Sequence, residues 1–172
     1  SRQNYTYSSF KKKKDYKILK ETKMLYQKKK DLSKIQILEF SILFIILNYT
    51  EIASKKLEEL SNIEFTSEKN ELLKNTIIRF FSEENTQVEF QTLINKEYES
   101  LVHEINENSN IQLIIKDKNE NDISELLNDL IIDLKEQSNL KKIESLEKKL
   151  INNLDENSFS ELIKLKSQIN RD

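Results

Sequence analysis

The chain of 172 residues contains neither glycine nor proline. Glycine supplies the positive φ angles of tight hairpin turns, and both residues mark the turns that separate short strands. A strand-rich fold is therefore disfavoured, and an all-α fold is predicted. Without glycine the chain also lacks the phosphate-binding loops of P-loop NTPases and of dinucleotide-binding enzymes.

Apolar residues recur at helical spacing from residue 35 onward. They predict a helix from Ser33 to about Asn48, a short helix over 50–60, a third helix at 67–84 and one or two more over 88–105. The segment 110–121 is compatible with a short strand or with an apolar tether to the core. Four capping boxes, in which Ser, Thr or Asp precedes Glu or Gln by three residues, predict helix starts: Ser33…Gln36, Thr86…Glu89, Asp122…Glu125 and Ser158…Glu161.

The last part of the chain predicts a long helix from Asp122 to about Leu154, followed by a turn and a shorter helix. The two helices match in length over residues 140–154, so an antiparallel helical hairpin is expected. The predicted organisation is a basic linker over 1–34, disordered or partly helical, a globular helical bundle over 35–120, and the long helix with the C-terminal hairpin over 121–172.

The most apolar stretch runs without interruption from Ile42 to Leu47. A membrane-spanning helix needs about 20 predominantly apolar residues, and a secretory signal would lie nearer the start and carry a cleavage site. The stretch is therefore interpreted as a helix enclosed by other helices, and no membrane association is expected. The absence of cysteine excludes disulfides and thiolate metal sites and is consistent with a cytoplasmic location.

Charge is distributed unevenly along the chain. Residues 1–34 carry 12 Lys and Arg against 3 acidic residues, and the remaining 16 basic and 27 acidic residues give the rest a net charge of −11. The basic segment is interpreted first as a solvated linker. The alternative is a non-specific contact with nucleic acid, helped by nearby aromatic residues, through Lys11, Lys12, Lys13, Lys14, Lys28, Lys29 and Lys30.

No catalytic constellation is recognised in the sequence. His103 is the single histidine, and it has no cysteine or second histidine at metal-ligand spacing. Glu125, Asp129 and Asp133 share one helical face, which is interpreted as solvated rather than as a cation site. An enzyme is therefore not expected within these residues, and no cofactor is predicted for them.

The segment LEFSILFIILNYTEI (38–52) resembles the E-x-x-L-L-x-x-L-L-x-x-P-E-L signature of the C-terminal domain of bacterial DnaG-type primases. Thr50 stands where the family usually has proline. A loop with Phe65 before a Leu-rich helix (57–78), the segment VEFQTLI and a terminal hairpin (140–170) follow in the family's order. The resemblance covers about residues 35–170, and the matching positions of the signature are Glu39, Ile42, Leu43, Ile46, Leu47, Glu51 and Ile52.

The resemblance implies a module that docks on the N-terminal domains of the hexameric replicative DNA helicase and recruits primase to the fork for RNA primer synthesis. A single-stranded DNA-binding protein is considered as a second partner. The parent would be a DNA primase, a nucleotidyltransferase that uses zinc and magnesium in its other domains, and residues 1–34 would end the linker from its polymerase domain. A short helix cannot bury its whole apolar edge in a hairpin seam, so the predicted helicase-binding residues are Phe159, Glu161, Leu162, Leu165, Lys166 and Ile169.

Two other classes of protein remain open. The N-terminal domain of the helicase itself resembles the globular half of such a module, although a glycine-rich segment and an ATPase normally follow it. A free-standing helical adaptor could use the hairpin as a coiled coil to dimerise. The interrupted heptads across 135–142 disfavour a long coiled coil.

Overall fold

The computed structural model describes residues 32–83, 89–152 and 156–169, which form eight helices and no strand. The all-α fold predicted from the sequence is confirmed. The helices are α1 (Lys34–Asn48), α2 (Thr50–Lys55), α3 (Leu57–Ser61), α4 (Glu68–Ser82), α5 (Phe90–Asn108), α6 (Ile111–Ile115), α7 (Glu120–Asn152) and α8 (Glu156–Ile169).

Helix α1 is the central helix of the bundle. Its predicted capping box is present: the Gln36 amide donates to Ser33 Oγ at 3.2 Å, and the Ser33 amide donates to Gln36 Oε1 at 2.9 Å. Ten of its 15 residues are buried, including the run from Ile45 to Leu47. Ser41 is satisfied within this core because its hydroxyl donates to the Ile37 carbonyl at 2.8 Å.

The other three capping boxes do not mark helix starts. Helix α7 begins at Glu120, and the Asp122 amide donates to Asn119 Oδ1 at 3.0 Å, so Asn119 caps the helix one turn earlier than predicted. Acidic residues in the resulting first turn favour this start through the helix dipole. Helix α8 begins at Glu156, which places Ser158 inside it. Helix α5 begins only at Phe90, and Thr86 lies outside the described residues.

Two elements that the sequence left open are helical. The segment considered as a strand or tether contains α6, which buries Ile111 and Ile115 one turn apart and leaves Leu113 and Ile114 exposed. Between 90 and 108 the chain forms one helix with a kink at Tyr98, where φ is −130° and ψ is 18°.

The apolar side chains of the described residues form two separate clusters. The main core surrounds α1 and takes Ile123, Leu127, Ile131 and Leu134 from the first half of α7, so the body predicted over 35–120 shares its core with the long helix. The second cluster joins the distal half of α7 to α8. Because α7 has 33 residues, it extends for about 50 Å and connects both clusters.

Candidate protein-interaction surface

The hairpin of α7 and α8 is held by a small apolar seam. Ile143 and Leu146 of α7 pack against Leu162 of α8, and Leu150 and Leu165 cover this contact. With so few buried side chains, the seam contributes far less to stability than the main core. The hairpin therefore depends on each of these residues individually.

An ion pair lies on one flank of the seam. Lys166 Nζ is 2.7 Å from Glu147 Oε1, and about half of each side chain is exposed. Exposed pairs of this kind typically contribute less than about 1 kcal/mol. The pair therefore fixes the register of α8 on α7 more than it stabilises the hairpin.

Three apolar side chains are exposed on the same flank. Phe159 and Ile163 are each 53% exposed and lie one turn apart on α8, and Ile151 of α7 is 83% exposed. Ile151 follows Glu147 by four residues, and Ile163 precedes Lys166 by three. Residues three and four apart are neighbours on a helix surface, so all three apolar residues border the ion pair. We call Ile151, Phe159 and Ile163 the hairpin flank.

The structure divides the six predicted helicase-binding residues. Phe159 and Glu161 are exposed. Leu162 is buried in the seam and Leu165 packs against it, while Lys166 is paired with Glu147. Ile169 ends α8, and its side chain lies outside the described residues.

Ile151 and Ile163 were missing from the predicted set. Ile163 was recognisable in principle because it follows Phe159 by four residues. Ile151 was not, since it adjoins the seam residue Leu150 and only the packing angle shows which of the two faces α8.

A polar network braces the loop between α3 and α4. The Glu39 carboxylate is fully buried in the core and accepts three hydrogen bonds: from the Thr66 amide at 2.5 Å, the Thr66 hydroxyl at 2.7 Å and Asn70 Nδ2 at 2.7 Å. Buried carboxylates are tolerated only with such compensation. Glu39 thus ties this loop to the central helix.

A second part of the network surrounds Lys74, whose side chain is also buried. Its ammonium donates to the Ile63 carbonyl, lies 2.9 Å from Glu71 Oε1 and sits 5.2 Å from the centre of the Phe65 ring. Partial burial opposes ionisation of Glu71, but hydrogen bonds from the Phe65 amide, Lys74 and Asn75 outweigh it, so the pKa of Glu71 lies below its ordinary value.

The remaining candidates from the sequence do not form a site. Glu125, Asp129 and Asp133 are exposed along α7, and His103 Nε2 lies 3.8 Å from Glu107 Oε1 on an open face. Within 32–83, 89–152 and 156–169 no three His, Cys, Asp or Glu residues form a group that could hold a metal ion. No helix in the same ranges is both long and apolar enough to cross a membrane. The seven lysines predicted to contact nucleic acid lie outside the described residues.

Comparisons with protein-family models, with curated proteins and with solved structures found no match to this chain.

Proposed function

We propose that the chain is a helicase-binding module of a bacterial DnaG-type primase, and that its hairpin flank docks on the N-terminal domains of the hexameric replicative DNA helicase. The observation that carries this proposal is the exposure of Ile151, Phe159 and Ile163 on a hairpin whose own seam is already closed. In the parent protein this contact brings primase to the replication fork in the cytoplasm. Primer synthesis belongs to other domains, which would use zinc and magnesium.

The internal contacts of the body support the resemblance on which the partner rests. The signature segment contributes Glu39, and the following loop contributes Phe65. These two segments belong to one network, because Glu39 holds Thr66 while the Phe65 amide donates to Glu71 Oε2 at 2.9 Å. The network gives a physical reason for a charged residue in the middle of an otherwise apolar helix.

The chemistry of the hairpin flank suits a helical partner. A large aromatic side chain surrounded by aliphatic groups is the usual centre of a binding hot spot, and exposed charges form its rim. Here Phe159 lies between Ile151 and Ile163, and the Glu147–Lys166 pair borders them. A partner surface with an apolar groove and charged edges would cover both features.

The full chain should therefore be titrated against the hexameric helicase of the same organism by sedimentation velocity. Phe159→Ser with Ile163→Ser removes the apolar flank without opening the seam. Losing two central contacts of about 1–2 kcal/mol each weakens binding by at least about tenfold. The matched control is Leu72→Ser with Ile132→Ser, which alters two side chains of similar exposure, 54% and 62%, on the body.

Equal binding of both double variants would contradict the flank as the docking surface. The helical-adaptor alternative predicts a different outcome: the wild-type chain would sediment as a dimer, Phe159→Ser with Ile163→Ser would make it monomeric, and no helicase complex would form. Absence of any complex at micromolar concentration in moderate salt would contradict the helicase proposal itself.

A further inference from the structure

We infer that a second site lies in the cleft between loop 61–66 and the middle of α7, and that it binds the phosphate backbone of a single nucleic-acid strand. The cleft has a volume of about 870 Å³. One wall is the loop, and the other is the segment of α7 from Leu134 to Ser145. Neither wall includes a residue of the hairpin flank, so this site is independent of helicase docking.

The cleft exists because one face of α7 changes character. Leu127, Ile131 and Leu134 follow one another at spacings of four and three residues and are buried in the main core. The same spacing continues through Ser138, Lys141 and Ser145, all of which line the cleft. The face of α7 that packs on the body therefore becomes polar after Leu134, and the body and helix separate there.

The lining of the cleft is basic although the surrounding chain is acidic. Lys135, Lys141 and Lys142 are exposed along it, and Glu64 is the acidic residue among its described lining. Residues 35–172 carry a net charge of −11, so three lysines in one cleft do not follow from composition. The 3.0 Å hydrogen bond from Lys56 and, less strongly, the charge of Lys135 lower the pKa of Glu59, which places a carboxylate near one end of the lysine stripe.

The uncharged lining groups match a sugar-phosphate backbone. Asn62, Ser138, Asn139 and Ser145 carry the amide and hydroxyl groups that commonly contact phosphate and sugar. Among the described residues, the enclosed Ser138 hydroxyl has no hydrogen-bond partner. Such a group gains from a ligand oxygen that it can reach.

The same lining argues against base recognition and against an acidic peptide. Bases bound without pairing usually stack on exposed aromatic rings, but Phe65 is buried beneath the loop. An acidic peptide would gain affinity from a slot for an apolar side chain. The apolar lining residues Ile63, Phe65 and Leu134 are instead buried in the main core. Contacts through phosphates alone predict binding that is independent of base sequence and sensitive to salt.

The loop wall is held in place before any ligand binds. Glu39 anchors Thr66 through two hydrogen bonds, and Lys74 donates to the Ile63 carbonyl. A fixed wall reduces the entropy lost when a ligand is bound.

The test uses the full chain with its seven predicted arm lysines (11–14 and 28–30) changed to Gln, so that the arm cannot mask the cleft. Binding of a fluorescent oligothymidylate is followed by anisotropy over a range of salt concentrations. Lys135→Gln with Lys142→Gln should lower the slope of log affinity against log salt by about 1.4, at about 0.7 per phosphate, and weaken binding about tenfold at low salt. The control, Lys148→Gln with Lys149→Gln, makes the same charge change on α7 beyond the cleft.

Amide NMR shifts then locate the contact. The proposal expects oligothymidylate and oligoadenylate to shift the same amides in 61–66 and 134–145. It is overturned if the arm-neutral chain does not bind, if the control loses as much affinity as the cleft variant, or if a glutamate-rich peptide of equal charge binds the cleft more tightly than the oligonucleotide.

Discussion

Replacing Glu39 by Ala tests whether the polar network under the loop is a major source of stability. The substitution removes the acceptor of three hydrogen bonds from Thr66 and Asn70. Asn70 is 2% exposed and cannot turn its amide toward water, whereas Thr66 lies at the surface. The buried Asn70 donor therefore carries the largest penalty.

The size of the effect follows from these contacts. An unsatisfied buried donor costs about 1–3 kcal/mol, and hydrogen bonds to a charged acceptor contribute about 1.5–3 kcal/mol each. The gain from no longer burying a carboxylate offsets part of the sum. We expect Glu39→Ala to lower the free energy of unfolding by about 3–4 kcal/mol, a large share of the roughly 5–15 kcal/mol typical of a domain.

Urea and thermal unfolding followed by far-UV circular dichroism measure this change. A loss of 3–4 kcal/mol lowers the melting temperature by about 10 °C for a chain of this size. Glu39→Gln keeps one accepting oxygen and should lose about half as much free energy. Glu51→Ala is the matched control on a neighbouring exposed position, where the ion pair to Lys55 spans 4.0 Å, and it should cost under about 0.5 kcal/mol. A loss below about 1 kcal/mol for Glu39→Ala would refute the reasoning.

Two further predictions concern stability. Leu162→Ala opens the hairpin seam and should speed amide hydrogen exchange in 140–152 and 156–166 by about tenfold or more while the main core keeps its protection; loss of protection in α1 as well would contradict two separate clusters. Because the folded-state pKa of Glu71 is lowered, its stabilising contribution is complete above the ordinary value of 4.5 and is lost as the pH falls through the folded-state value. Glu71→Gln should therefore flatten the dependence of urea stability on pH between about 6 and 3, and an unchanged dependence would contradict this role.

The sequence predicts the helices better than it predicts where they begin. Ser33 caps α1 as expected because no competing cap precedes it closely. Asp122 has the same pattern, but Asn119 one turn earlier provides another side-chain oxygen and adds a turn with acidic residues to the helix. In a chain rich in Asp, Ser and Glu, capping patterns also recur by chance inside helices, as at Ser158.

The candidate surface shows a different limit. The apolar edge of α8 is evident from periodicity, but the packing angle on α7 decides that Leu162 faces the seam and Phe159 the solvent. Lys74 illustrates the same point in the core, because a buried lysine is recognisable only once the Ile63 carbonyl and Glu71 are seen beside it. Side-chain identity sets the helical faces, and tertiary packing assigns their roles.

Hydrogen–deuterium exchange of the full chain, with and without the hexameric helicase, tests the proposed docking most directly. The proposal predicts slower exchange in 147–152 and 156–166 on complex formation, which is lost with Phe159→Ser and Ile163→Ser. Slower exchange confined to the body, or unchanged exchange in the hairpin of a demonstrated complex, would contradict docking through the hairpin flank.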